Sequence, residues 1–87
     1  MSNSEPKRVY PYYQDPGHGW LRVPLADLPA GFEPSSFSFR GKRFAWLEED
    51  CDFPAFARLV PPFDVTEIFV NNFDRGRERF PGKNPNE

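Results

Sequence analysis

Alternation of aromatic and polar residues is sharpest in SSFSFRGKRFAWLEE, residues 35–49. A period of two is the signature of a strand, so the stretch predicts strands over 35–40 and 43–48, joined by a two-residue type II′ turn at Gly41-Lys42. In that register Phe39 faces Phe44 and Phe37 faces Trp46, which gathers four rings on one face. Arg40 then opposes Arg43, a like-charge pair that only a solvent-exposed tip tolerates. Downstream the period changes. Phe53, Phe56, Ala57 and Val60 recur at helical spacing behind Asp52 as N-cap and Pro54 near the first turn, and Pro61-Pro62 stops the helix, giving α(52–60). FDVTEIFV then predicts a strand over 64–70 with apolar residues on both faces, the pattern of an interior or well-covered strand.

Upstream, Asp15-Pro16-Gly17 is turn chemistry feeding a strand over 18–23, and PLADLP predicts a short helical segment over 24–29. Short helices on one face of a small sheet define an α+β fold. The expected sheet is mainly antiparallel, with three to four strands and two short helices. It forms one domain over 10–75 between flexible tails, 1–9 and 76–87, that lack apolar anchors.

Composition bears on how such a sheet is held. The 87 residues include ten Phe, three Tyr and two Trp, and a chain this short buries only about 60–65 % of its unfolded surface, so large rings must supply the core. Cys51 is the single cysteine, which rules out an internal disulfide, and no Cys or His stands at zinc-finger spacing. These features predict a reducing, cytoplasmic setting and no bound cofactor. No apolar run approaches the roughly 18 residues that span a bilayer, so no membrane partner is expected. The net charge of −2 is too small to identify a partner, but its distribution is uneven. Glu48, Glu49, Asp50 and Asp52 surround Cys51, whereas Arg75, Arg77, Arg79 and Lys83 face a single Glu78 near the C-terminus.

WLEEDCDF, residues 46–53, is the densest candidate site. Its carboxylates do not follow the alternate-position spacing of a calcium loop and no central glycine turns the chain, so no metal is expected. Asp50 and Asp52 read as helix-capping residues, leaving Glu48 and Glu49 at a sheet edge as edge protection or as an acidic surface. His18, the only histidine, is expected to be buried beside a carboxylate, and Cys51 to be a small buried or half-buried residue whose thiol pKa its acidic neighbours raise. Neither has a visible catalytic partner, so no catalytic residue is assigned and the chain is expected not to be an enzyme. Aromatics beside bases in FSFRGKRF resemble base-stacking sheets, but here the rings share one face while the bases cluster at the tip.

DPGHGWLRVP, residues 15–24, and the Ser/aromatic hairpin followed by LEEDCD, residues 47–52, resemble a group of short uncharacterised proteins encoded by phages, prophages and plasmids. The likeness covers roughly residues 12–60, through Asp15, Pro16, Gly17, His18, Gly19, Trp20, Leu21, Val23, Pro24 and Leu47 to Asp52. It ends at Pro61-Pro62, where the group has a longer helix. The resemblance implies a mobile-element accessory protein that binds a bacterial host protein or nucleoprotein complex, such as a CRISPR effector or another defence complex. The protein-binding residues expected on that reading are His18, Trp20, Glu48, Glu49 and Asp50. The alternative is a small nucleic-acid-binding module using Arg40, Lys42, Arg43, Arg75, Arg77 and Arg79.

Overall fold

The computed structural model of the chain describes residues 7–71 and 78–80. Its strands are β1 (Val9–Gln14), β2 (Gly19–Pro24), β3 (Phe39–Arg40), β4 (Phe44–Glu48), β5 (Asp64–Phe69) and β6 (Glu78–Arg79), with one helix, α1 (Asp52–Leu59), and a single 3₁₀ turn at Leu25–Asp27. The α+β class stands. The sheet, however, has six strands in the order β5-β1-β2-β4-β3-β6 and is mixed, because β5 runs parallel to β1. Of the two expected helices, only the second is α-helical.

The largest departure from the sequence pattern is β1. VYPYYQ carries three ring-bearing strand formers but also Pro11, which cannot donate to a ladder. The structure resolves the conflict locally. Pairing of β1 with β2 covers Tyr12↔Leu21 to Gln14↔Gly19, so it begins just after the proline, while Pro11 pairs only with Thr66 of β5. The C-terminal segment expected as a tail also contributes structure: β6 pairs antiparallel with β3, and Phe80 is buried.

The β3–β4 hairpin forms two residues away from its expected register, with its turn one residue later. Phe39 faces Trp46 and Arg40 faces Ala45, and Gly41 N donates to the Phe44 carbonyl at 2.8 Å. The two turn residues are therefore Lys42 and Arg43. Gly41 is not at positive φ, a conformation taken only by Gly31 at 83° among the described residues. A shift of two residues keeps every side chain on its original face, and it removes the Arg40–Arg43 opposition, which accounts for the preference. Phe39 and Trp46 are buried and Phe44 is partly buried, but Phe37 lies ahead of β3 and is 59 % exposed.

Side chains divide between the two faces of the sheet. Tyr10, Leu21, Val23, Ala45 and Leu47 meet Phe56 of α1, with Phe32, Phe53 and Phe63 packed around them. On the opposite face Trp20, Phe39 and Trp46 form a smaller ring cluster with Tyr13, Phe44 and Val70. Strand β5 is not the covered strand its composition suggested. It is an edge strand, and Val65 and Phe69 are exposed, because α1 sits over the middle of the sheet and does not reach it. Asp64 and Glu67 place charge along that edge, a common guard against edge-to-edge pairing.

Tyr10 closes the core at the start of β1. Its hydroxyl donates to Asp27 Oδ2 at 2.8 Å, and burial followed by this carboxylate pushes its pKa up from 10.0 to about 12. Folding thus holds the phenol neutral where the unfolded chain would ionise it. That part of the stability is complete below pH 10.0 and is lost as the pH rises toward about 12. Urea midpoints measured across this interval are expected to fall steeply for the wild type and less steeply for Tyr10→Phe, which has no phenol to ionise there; parallel curves would contradict the assignment.

Candidate functional site

The β1–β2 turn is tied by its own aspartate. Asp15 Oδ1 accepts from Gly17 N at 3.0 Å and His18 N at 2.9 Å, while Asp15 N donates to the His18 carbonyl at 2.9 Å. This arrangement is a side-chain-closed turn that holds His18 at the head of β2. Gly19 follows, and a Cβ there would lie 2.3 Å from the Tyr12 hydroxyl, so any larger residue would have to displace the Tyr12 ring. The Tyr12 ring crosses over this gap, and its hydroxyl donates to Glu49 Oε2 at 3.4 Å.

Strand β4 delivers the carboxylates to the same end of the sheet. Trp20 pairs with Glu48 across β2–β4, and Glu49 N donates to the Gly19 carbonyl at 3.0 Å. Glu48 is 8 % exposed. Its Oε1 accepts from Asp50 N at 2.9 Å and Cys51 N at 3.0 Å, so the side chain folds back to satisfy the backbone where the strand turns into α1. Its Oε2 faces His18 Nδ1 at 3.9 Å. His18 Nδ1 or Nε2, Glu48 and Glu49 offer ligand atoms that all lie within 4.8 Å of one another.

Tertiary structure therefore brings His18, Trp20, Glu48, Glu49 and Asp50 together, although 29 residues lie between His18 and Glu48 in the chain. Their accessibility differs. Trp20 is 3 % exposed and supports the site from beneath, its ring 5.8 Å from that of His18. Glu48 is internal, Glu49 is half-buried, and Asp50 is exposed. His18 has the expected carboxylate neighbour but is not buried, since 53 % of its side chain is exposed.

Asp52 has a different task from the capping role its position suggested. The cap residue is Cys51, with no side-chain cap bond. Instead the Asp52 carboxylate, 6 % exposed, accepts from Ser35 N at 3.0 Å through each oxygen, from Ser35 Oγ at 2.7 Å, and from Ser38 Oγ. Ser38 Oγ in turn accepts from Glu48 N at 2.9 Å. A buried polar chain thus fixes the loop before β3 to both the end of β4 and the start of α1. Cys51 is exposed, neither buried nor half-buried as expected. Partial desolvation, then Glu48 and Asp52, raise its thiol pKa, the opposite of what a thiolate nucleophile needs. Tyr12 is likewise pushed up to about 12, by burial and then by Glu49.

The basic candidates lie at the other end. β4 spans five residues, about 15 Å at strand rise, and separates the acidic cluster from the exposed Arg40, Lys42 and Arg43 at the hairpin tip. Arg40 stands 5.7 Å over the Phe80 ring. Arg75 and Arg77 lie outside the described residues, and Arg79 is described only as a member of β6.

The chain matches no protein-family model, no curated protein and no solved structure. No helix among the described residues is long and apolar enough to cross a membrane.

Proposed function

We propose that this chain is a non-enzymatic binding protein, encoded by a phage or plasmid, that occupies a basic surface on a bacterial host target such as a CRISPR effector or other defence complex. The observation that carries this reading is the way Glu49 and Asp50 are presented. Both stand at one end of the sheet, on a segment held in place by the backbone bonds of Glu48 and by Glu49 N to the Gly19 carbonyl. Carboxylates fixed in this manner match Arg and Lys side chains that otherwise grip phosphate, and they lose little freedom on binding. The raised thiol of Cys51 and the absence of a nucleophile beside His18 among the described residues favour binding over catalysis.

A pull-down from bacterial lysate compares the wild type with Glu49→Lys/Asp50→Lys, which spares the internal Glu48. Wild type is expected to retain a nucleic-acid-handling protein, salt-sensitively and after nuclease treatment, and the variant to lose it. Equal recovery by both removes the acidic end from the function.

Nucleic-acid binding is the second reading, favoured by one observation: among the described residues no carboxylate pairs with Lys42 or Arg43 at the exposed tip. It requires retention that disappears with nuclease and survives charge reversal at residues 49 and 50.

A further inference from the structure

We propose that His18, Glu48 and Glu49 form a binding site for a divalent transition cation of the zinc class. The donors come from two separate segments, the β1–β2 turn and the end of β4, and their ligand atoms converge within 4.8 Å. Tetrahedral zinc with bonds of about 2.0–2.2 Å holds its donors about 3.3 Å apart. The observed 3.9 Å between His18 Nδ1 and Glu48 Oε2 needs only a small rotation of two side chains to reach that value.

A second observation separates this cluster from an ordinary group of acids. Glu48 is more than nine-tenths buried, and its two oxygens are used unequally. Oε1 takes two backbone N–H bonds, whereas Oε2, which neither N–H reaches, is aimed at the histidine across a gap too long for a hydrogen bond. A cation between Oε2 and Nδ1 would ligate both groups at once.

The surroundings are those of a supported site. Asp15 holds the His18 backbone through its side-chain-closed turn, the Asp50 and Cys51 N–H groups orient Glu48, and the Tyr12 hydroxyl orients Glu49. Outer partners of this kind fix ligands in metal sites. Three protein donors with an exposed flank leave a coordination position for water. The imidazole selects a zinc-like ion over calcium or magnesium, which prefer all-oxygen shells. This inference does not depend on the proposed host target, because it concerns the isolated chain.

The test is titration of the chelator-treated full chain with zinc chloride by calorimetry, together with cobalt(II) titration read by visible d–d absorption. One saturable equivalent is expected for the wild type. His18→Ala and Glu49→Gln are expected to weaken it by about a hundredfold or more, since loss of an outer partner alone costs about 10–100-fold, with circular dichroism confirming that both variants stay folded. Cys51→Ala is expected to bind as the wild type does. The proposal is overturned if the wild type shows no saturable binding, if His18→Ala binds equally well, or if Cys51→Ala abolishes binding.

Discussion

Replacing Asp52 by alanine is expected to cost about 3–5 kcal/mol of folding stability, measured as a drop in the urea midpoint and melting temperature. The carboxylate accepts from three donors, the Ser35 N–H shared between its two oxygens and the hydroxyls of Ser35 and Ser38. Bonds to a charged acceptor each contribute about 1.5–3 kcal/mol, and buried donors left without a partner cost about 1–3 kcal/mol apiece. The effects overlap, so the sum is well below simple addition. A domain of this size has roughly 5–15 kcal/mol in all, which places the variant close to unfolding at room temperature. Asp52→Asn keeps one acceptor oxygen and is expected to lose roughly half as much. A loss below about 1 kcal/mol in the alanine variant would show that the Ser35–Ser38 loop holds its position by other means.

Phe56→Ala is expected to be comparably damaging, at about 3–5 kcal/mol. Phe56 is fully buried and is the point at which α1 enters the core, with ring centroids 5.9 Å from Tyr10, 5.7 Å from Phe63 and 6.2 Å from Phe32. Truncation opens a cavity among rings that cannot collapse far without moving β1. Leu59, on the same helix, is 59 % exposed, and Leu59→Ala is expected to change stability by no more than about 0.5 kcal/mol. Similar losses at both positions would contradict the packing described here.

Residue patterns along the chain were sufficient for β2, β4, α1 and β5, whose ends differ from expectation by no more than one residue. They also placed Phe39 and Trp46 on a common buried face, because a two-residue change of register preserves the side on which each ring lies. Pattern alone placed the turn one residue too early, at Gly41-Lys42, and the structure has it at Lys42-Arg43. That choice follows from relief of the Arg40–Arg43 opposition and from the bond of Leu25 N to the Arg43 carbonyl at 2.8 Å, a contact made by a distant segment. Nor could composition tell whether β5 lies inside the sheet or at its edge, since Val65, Ile68 and Phe69 are apolar in either position.

For the candidate site, the residue types were legible while their meeting was not. LEEDC and DPGHG each mark themselves as unusual, yet spacing within LEEDC argues against a metal because it sees only neighbours in sequence. Pairing of Trp20 with Glu48 across β2–β4 carries the histidine to the glutamates. Asp52 shows the same limit: ahead of a helix it looks like a cap, but the hydroxyls of Ser35 and Ser38 outcompete the helix N–H groups for its oxygens. By itself, then, the order of residues determined the α+β class, strands β2, β4 and β5, helix α1, and the shared buried face of Phe39 and Trp46, since side-chain periodicity is a property of the local backbone. Only tertiary structure decided the mixed strand order, the burial of Asp52 and Glu48, and the convergence on His18, because these depend on contacts between segments whose separation in sequence carries no local signal.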